Sequence, residues 1–279
     1  MAYEKVGKFH PDKLADRIAG AIVDLAYTKN DNPKVAVEAL LGHGVCDVIV
    51  ETSEVLSHED IKAIVHRIAG DSVDVIVRTY PQDTHLANNQ KGEIRCGDNG
   101  IFKGMPPTEE EKVLSGIARE INEEYPYDGK YILDEKTKKL IICQSNIKPE
   151  DEEKLKEKYS AWGYDVVVNP IGSWTGGIDV DTGAVNRKLG SDMGRGVTGG
   201  GINGKDISKA DVACNIWAAV RAMEYNKPVE LYCAIGDTEV TGRIGHKKIR
   251  VPYKEIADFA KSYVDGLGGF EALSEWGLL

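Results

Sequence analysis

KVAVEALLGHGVCDVIVETSEVLSHEDIKAIVHRIAGDSVDVIVRT, residues 34–79, carries the pattern that decides the fold. Residues 34–41 and 44–51 read as two strands on either side of the turn-like Gly42-His43-Gly44. From about Glu59 the period changes. Ile61, Ile64, Val65 and Ile68 fall on one helical face, with Ser57 or His58 near the cap. Val73–Thr79 then alternates again like a strand. Paired strands followed by a helix fit an α+β layer, with helices on one face of mostly antiparallel sheet, better than a doubly wound parallel sheet.

The same reading extends in both directions. Residues 11–29 form a helix: Pro11 suits its first position, Asp12 and Asp16 suit the positive end of its dipole, and Leu14, Ile18, Ile22 and Leu25 make one apolar stripe. Thr108 with Glu111 is a capping box for a helix to about Glu124. Residues 130–135 and 139–144 read as a hairpin, 149–162 as a charged helix and 164–169 as a strand. A helix over 208–225, strands near 229–235 and 247–251, and a helix from Tyr253 complete the pattern. Residues 82–104 lack periodicity and read as a loop, and 171–206 as a glycine-dense irregular stretch. Strand pair plus helix recurs loosely along the chain.

Composition narrows the function. The hydrophobic share of 42% and charged share of 29% fit a globular protein able to bury a core. A formal net charge of -10 disfavours nucleic acid as a partner and demands local cations for any anionic ligand. Cys46, Cys96, Cys143, Cys214 and Cys233 form no CxxC pair, which argues against a disulfide framework or a zinc site. With no membrane-spanning apolar run and a charged N-terminus unlike a signal peptide, the chain is expected in the cytoplasm and off the membrane.

Four segments carry chemistry. His10-Pro11-Asp12-Lys13 stands at a helix start, where free N–H groups already suit an anion; a histidine and a lysine add donors, and Asp12 a hard oxygen for Mg²⁺. Taken alone, the segment reads better as ordinary capping of an amphipathic helix. Gly199–Asp206, GGGINGKD, mimics a P-loop but places Asp206 where Ser or Thr would hold the metal, and no buried strand precedes it. Around it, Arg187, Lys188, Arg195, Lys205 and Lys209 interleave with Asp181, Asp206 and Asp211, as a metal–polyphosphate site requires. Cys96-Gly97-Asp98-Asn99-Gly100 and Asp128-Gly129-Lys130 read alone as turns.

Together, in order, these pieces resemble the S-adenosylmethionine synthetases. HPDKLAD resembles their GHPDK-IAD, GDNGIFKG their GDQG-MFGYA, and DGKY their DAKSQV. NPIGSWTGG with DTGAVNRK resembles NPTGRFVIGG with DCGLTGRK, GGGINGKDISKAD resembles GGGAFSGKDPSKVDRSA, and LYCAIG resembles SYAIG. The matches run from about residue 4 to 236.

The resemblance implies three similar subdomains about a pseudo-threefold axis, here 1–97, 98–166 and 167–279. It also implies a homodimer with sites between subunits, ATP and methionine as substrates, and Mg²⁺ and K⁺ as cofactors. By position, His10, Lys13, Arg187, Lys188 and Lys205 would meet the triphosphate, with Asp12 and Asp211 on Mg²⁺ and Glu38 on K⁺. Asp128 and Lys130 would meet the nucleoside side, Trp174 would stack on adenine, and Asp181 and Ile235 would lie near the adenosine. Glu51, Asp98 and Lys209 match methionine-side positions.

There are departures from the family pattern. Lys8-Phe9 replaces Glu-Gly, Asn99 alters GDQG, the glycine segment is one residue shorter, and residues 82–97 match the gating loop in place but not in sequence. Residues 101–166 are shortened, and the chain stops ahead of the family's usual C-terminus, which could remove surfaces that pair dimers. The rival readings are a catalytically weak nucleotide-binding or regulatory relative, and an unrelated phosphotransferase, which Asp206 counts against.

Overall fold

The computed structural model describes residues 1–89 and 94–279. The chain runs β1 (Ala2–Val6), α1 (Pro11–Tyr27), β2 (Val35–Gly42), β3 (Val45–Thr52), α2 (His58–Ala69), β4 (Asp74–Pro81), α3 (Thr84–Asn89) and β5 (Gly100–Gly104). It continues through α4 (Glu109–Glu124), β6 (Gly129–Asp134), β7 (Lys139–Gln144), α5 (Pro149–Ser160), β8 (Asp165–Val168) and β9 (Thr182–Ala184). Last come α6 (Leu189–Met193), α7 (Ala210–Tyr225), β10 (Val229–Cys233), β11 (Glu239–Ile244), β12 (Lys247–Pro252), α8 (Tyr253–Leu267) and α9 (Phe270–Trp276).

Local chemistry sets the element ends. His10 caps α1 with Pro11 in its first turn, Ser57 caps α2 by accepting from Glu59 and Asp60, and Thr108 and Glu111 close a reciprocal capping box on α4. The Gly42-His43-Gly44 turn has positive φ at all three residues, His43 at 51°, and reverses β2 into β3.

The described strands form three four-stranded sheets, ordered β4-β3-β2-β9, β1-β6-β7-β8 and β12-β11-β10-β5. In the first, β2 and β3 are antiparallel and α2 carries the chain back so that β4 runs parallel to β3. The second repeats the plan with β6, β7, α5 and β8. The third is antiparallel throughout. Each sheet takes its fourth strand from another part of the chain. β1 leaves the span 1–97 to pair with β6, β5 leaves 98–166 to pair with β10, and β9 leaves 167–279 to pair with β2. The exchange is cyclic, as suits a pseudo-threefold arrangement of similar α+β units.

Several elements differ from the sequence reading. Within the expected loop 82–104 lie α3 and β5; residues 90–93 of that stretch, part of the expected gating loop, lie outside the described residues. The irregular stretch 171–206 contains β9 and α6, and β1, β11 and α9 are additional. β5 and β9 are too short to show a period; the partner strand, not local preference, makes them strands.

Helix α1 is the central element. Ala15, Ile18, Ala19, Ile22 and Val23 are fully buried, because α1 packs on β2 and β9, α2 and α9 at once. The largest core surrounds it and reaches α7 and α8, and a smaller one around Tyr131, Leu133, Leu140 and Tyr159 fills the second unit. The N-terminus of this immobilised helix is where the charged residues gather.

Candidate active site

Asp12 and Asp16 are one helical turn apart, about 6 Å along the axis. Ala184 is the last residue of β9, and Asn186 lies in the turn that follows it. The Asp12 Oδ1 accepts from the Ala184 N–H at 2.9 Å, and the Asp16 Oδ1 from the Asn186 N–H at 2.8 Å. Two carboxylate rungs thus fasten the segment after β9 along α1 and bring the next two residues to its start.

Lys188 Nζ then lies 2.6 Å from Asp12 Oδ2 and Arg187 Nε 3.5 Å from Oδ1. Burial pushes the Asp12 carboxyl up, but the bonds from Lys188 and Ala184 outweigh it and hold the group below the usual carboxylate range, ionised. His10 Nδ1 accepts from the Asp12 N–H at 3.1 Å, which leaves the ring proton on Nε2. Burial first, and Lys188 second, push His10 down to about 4, so at neutral pH it is an uncharged donor.

Asp128, Lys130, Asp181 and Trp174 surround the same corner. Burial raises the Asp128 carboxyl to about 6, against the Gly177 N–H that it accepts, with Asp181 and Asp12 pushing further. Lys130 pairs with Glu4 across β1 and β6 at 2.9 Å. Asp181 accepts from the Thr182 N–H at 2.7 Å. The Trp174 indole donates to Asn169 Oδ1 at 3.1 Å, which seats it at the end of β7.

The other expected residues form a second group. Lys205 bridges to Ala36 on β2, and its Nζ bonds Asp211 Oδ2 at 2.8 Å and the Gly200 carbonyl at 3.2 Å. Burial raises Asp211, opposed by Lys205 and Lys209, while Asp98 pushes it further. Burial likewise raises Glu38, with Lys205 opposing and Glu51 adding, which places these two glutamates around Lys205 on the outer face of the first sheet. Asp98 and Ile235 are drawn together where Asn99 Oδ1 accepts the Ile235 N–H at 2.8 Å and Cys233 donates to the Asp98 carbonyl.

Asp206, which spoils the P-loop pattern, is fully buried and receives the N–H groups of Val35 and Ser208, so it anchors β2 to the glycine segment. Lys13 is not brought to either group. It is 1% exposed and donates inward to Asp16 and Asp192. Among the described residues, no hydrogen bond or ion pair joins an expected residue of the first group to one of the second. Two surface clefts of the single chain, one between β1, α4 and Arg195 and one over β10, β11 and β12, are lined by none of them. Asp16, Asn186, Asp192 and Asn203 hold the first group in place. The only sequence signal for them is the aspartate spacing in HPDKLAD.

Fold and site together define a three-sheet α+β protein with cations and carboxylates concentrated at a buried helix start. Comparison with known proteins finds similarity to one family. Residues 1–86 match the family model for the S-adenosylmethionine synthetase N-terminal domain. An S-adenosylmethionine synthase from Salinibacter ruber is 29% identical over 86% of this chain and 80% of its own length, and one from Bradyrhizobium diazoefficiens is 24% identical over 91% and 85%. A solved structure described as an unusual S-adenosylmethionine synthetase from Campylobacter jejuni has the same fold, with a TM-score of 0.74 over 100% of this chain and 94% of that one at 20% identity. Over residues 1–86 the chain matches the S-adenosylmethionine synthetase N-terminal domain, and over most of its length it is similar to, though divergent from, S-adenosylmethionine synthases.

Proposed function

We propose that the protein makes S-adenosylmethionine from ATP and methionine. The methionine sulfur attacks C5′ of ATP, the triphosphate leaves, and water then cleaves it to phosphate and pyrophosphate. The observation that carries this reading is the start of α1, where a neutral His10 with its proton on Nε2 stands beside an ionised Asp12, Lys188 and a half-exposed Arg187.

A thioether has no proton to lose, so no general base is needed. The rate must come from alignment and from stabilising charge that moves. Arg187, Lys188 and Lys205 grip the triphosphate as its negative charge grows, and His10 donates to the bridging oxygen. Asp98 faces the sulfonium as it becomes positive. Asp128 and Lys130 hold the nucleoside side and Trp174 stacks on the base, with Asp181 and Ile235 near the adenosine; Glu51 and Lys209 meet methionine.

Asp12 and Asp211 would hold Mg²⁺ and Glu38 would hold K⁺. The described residues contain no group of three or more His, Cys, Asp or Glu able to hold a metal. The donor set still fits, because Mg²⁺ is commonly held by one or two carboxylates plus substrate phosphates. When bound, it neutralises the departing triphosphate.

The division into two groups supports a homodimer in which each site is completed by a second copy. The outer face of the first sheet supports it too: Leu40, Ile49, Ile76 and Tyr80 stand exposed beside Glu38 and Glu51. Five free cysteines suit a reducing cytoplasm, and no described helix is long and apolar enough to cross a membrane.

Replacing His10 by Asn, or Lys205 by Met, is expected to lower kcat by about 10²-fold or more while ATP affinity falls far less. Equal loss of both would contradict these roles. ATP binding with no product at any methionine level would instead make the chain a regulatory or binding relative.

A further inference from the structure

Behind the site lies a closed ring of hydrogen bonds. The Asn186 N–H donates to Asp16 Oδ1 at 2.8 Å, and Lys13 Nζ donates to Asp16 Oδ2 at 3.0 Å and to Asp192 Oδ1 at 2.6 Å. Asp192 Oδ2 accepts from the Asn203 amide at 3.3 Å. Asn203 returns to Asn186 twice. Its N–H donates to Asn186 Oδ1 and its carbonyl accepts from Asn186 Nδ2, both at 3.1 Å. Ser274 on α9 ties in by donating to Asn203 Oδ1 at 2.9 Å.

Lys13, Asp16, Asp192, Asn203 and Ser274 are all at most 1% exposed, so few waters compete for these bonds. The ring touches both cation-bearing segments. Arg187 and Lys188 directly follow Asn186, and Lys205 stands two residues after Asn203. Asn186 has φ 61°, the left-handed region that Asn tolerates, and its side chain fills the space where a Cβ on Gly201 would stand. Its side chain spans from the Arg187 turn to the glycine segment through both its oxygen and its nitrogen.

We infer that Asn186 is a positioning residue. It locks the Arg187–Lys188 turn and the Lys205 segment of one chain to each other, so that each set of cations is already placed when it meets a polyphosphate in the site it helps to form. The inference rests on the proposed function for what the cations grip, but the lock itself can be read without turnover.

The test uses Asn186→Gly, which keeps the backbone conformation and removes the clamp, and Asn186→Asp, which keeps the acceptor for the Asn203 N–H. Three quantities are measured on the full chain: hydrogen exchange over 184–188 and 199–206, the affinity of magnesium tripolyphosphate by calorimetry, and kcat and KM for ATP. For Asn186→Gly we expect faster exchange in both segments, weaker tripolyphosphate binding and kcat lower by about 10- to 100-fold, with KM changed less. Asn186→Asp should recover part of each. Unchanged exchange over 199–206, or unchanged tripolyphosphate affinity, would overturn the inference. So would a kcat loss that merely follows a loss of folded protein with no recovery in Asn186→Asp. If the wild-type protein shows no methionine-dependent turnover, the proposed reaction fails, and exchange and calorimetry still decide the role of Asn186.

Discussion

Asp128 shows how a buried carboxyl loads the free protein. In the unfolded chain its carboxyl titrates near ~3.9, and in the folded chain at about 6, because burial penalises its charge. The folded state therefore holds the proton more tightly. This contribution to stability is full below about pH 4 and is lost as pH rises through about 6, roughly 2–3 kcal/mol in all. Asp128→Asn should raise Tm at pH 7.5 relative to wild type, leave it nearly level at pH 4, and weaken ATP binding. Equal Tm shifts at both pH values would refute this reading of the site. Lys13 is the opposite case. It lies between two fully buried carboxylates, so Lys13→Met leaves them facing each other, at about 3–5 kcal/mol. Adding Asp16→Asn should recover part of that in a denaturant titration; no recovery would show that the loss is packing alone. The sequence makes the lysine visible at a helix start but not its direction. Only the approach of Asp192, remote in sequence, turns it inward.

At the scale of elements, α1 crosses α9 at Gly20. A Cβ there would lie 2.6 Å from the Phe270 carbonyl oxygen, a backbone atom that cannot swing aside. Gly20→Ala gains about 1 kcal/mol of helix propensity but loses about 1–3 kcal/mol to overpacking. A lower Tm is expected, with faster exchange in 270–276; a higher Tm would show that α9 yields freely. What could be read in advance follows the same logic. α1, α2, α4 and the β2–β3 and β6–β7 hairpins carry their own caps, turns and periodicity, so they are legible in the sequence. β1, β5 and β9 are not, because each is a short strand whose partner lies in another unit. The charged segments are legible by residue type. Their division into two groups is not, since it depends on where the exchanged strand β9 lays Arg187 and Lys188 against α1.

The described strands make three sheets joined by exchanged strands, and this explains why the candidate residues are dispersed along the sequence. In the first group Arg187 and Lys188 come from the segment after β9, Asp12 from α1, and Asp128 and Lys130 from the start of β6. The second group hangs on β2, the glycine segment and the turn after β10. If a second copy completes each site, the protein should be a dimer by sedimentation, and a charge placed on the apolar sheet face, Ile49→Lys, should yield monomer and remove turnover together. An active monomer would contradict the shared site. The most direct measurement is a single assay of purified protein with ATP, methionine, Mg²⁺ and K⁺, reading product by mass and counting phosphate and pyrophosphate. We expect S-adenosylmethionine with one phosphate and one pyrophosphate per product, strictly dependent on methionine. ADP formation indifferent to methionine, or nucleotide binding with no product at any methionine concentration, would contradict the account.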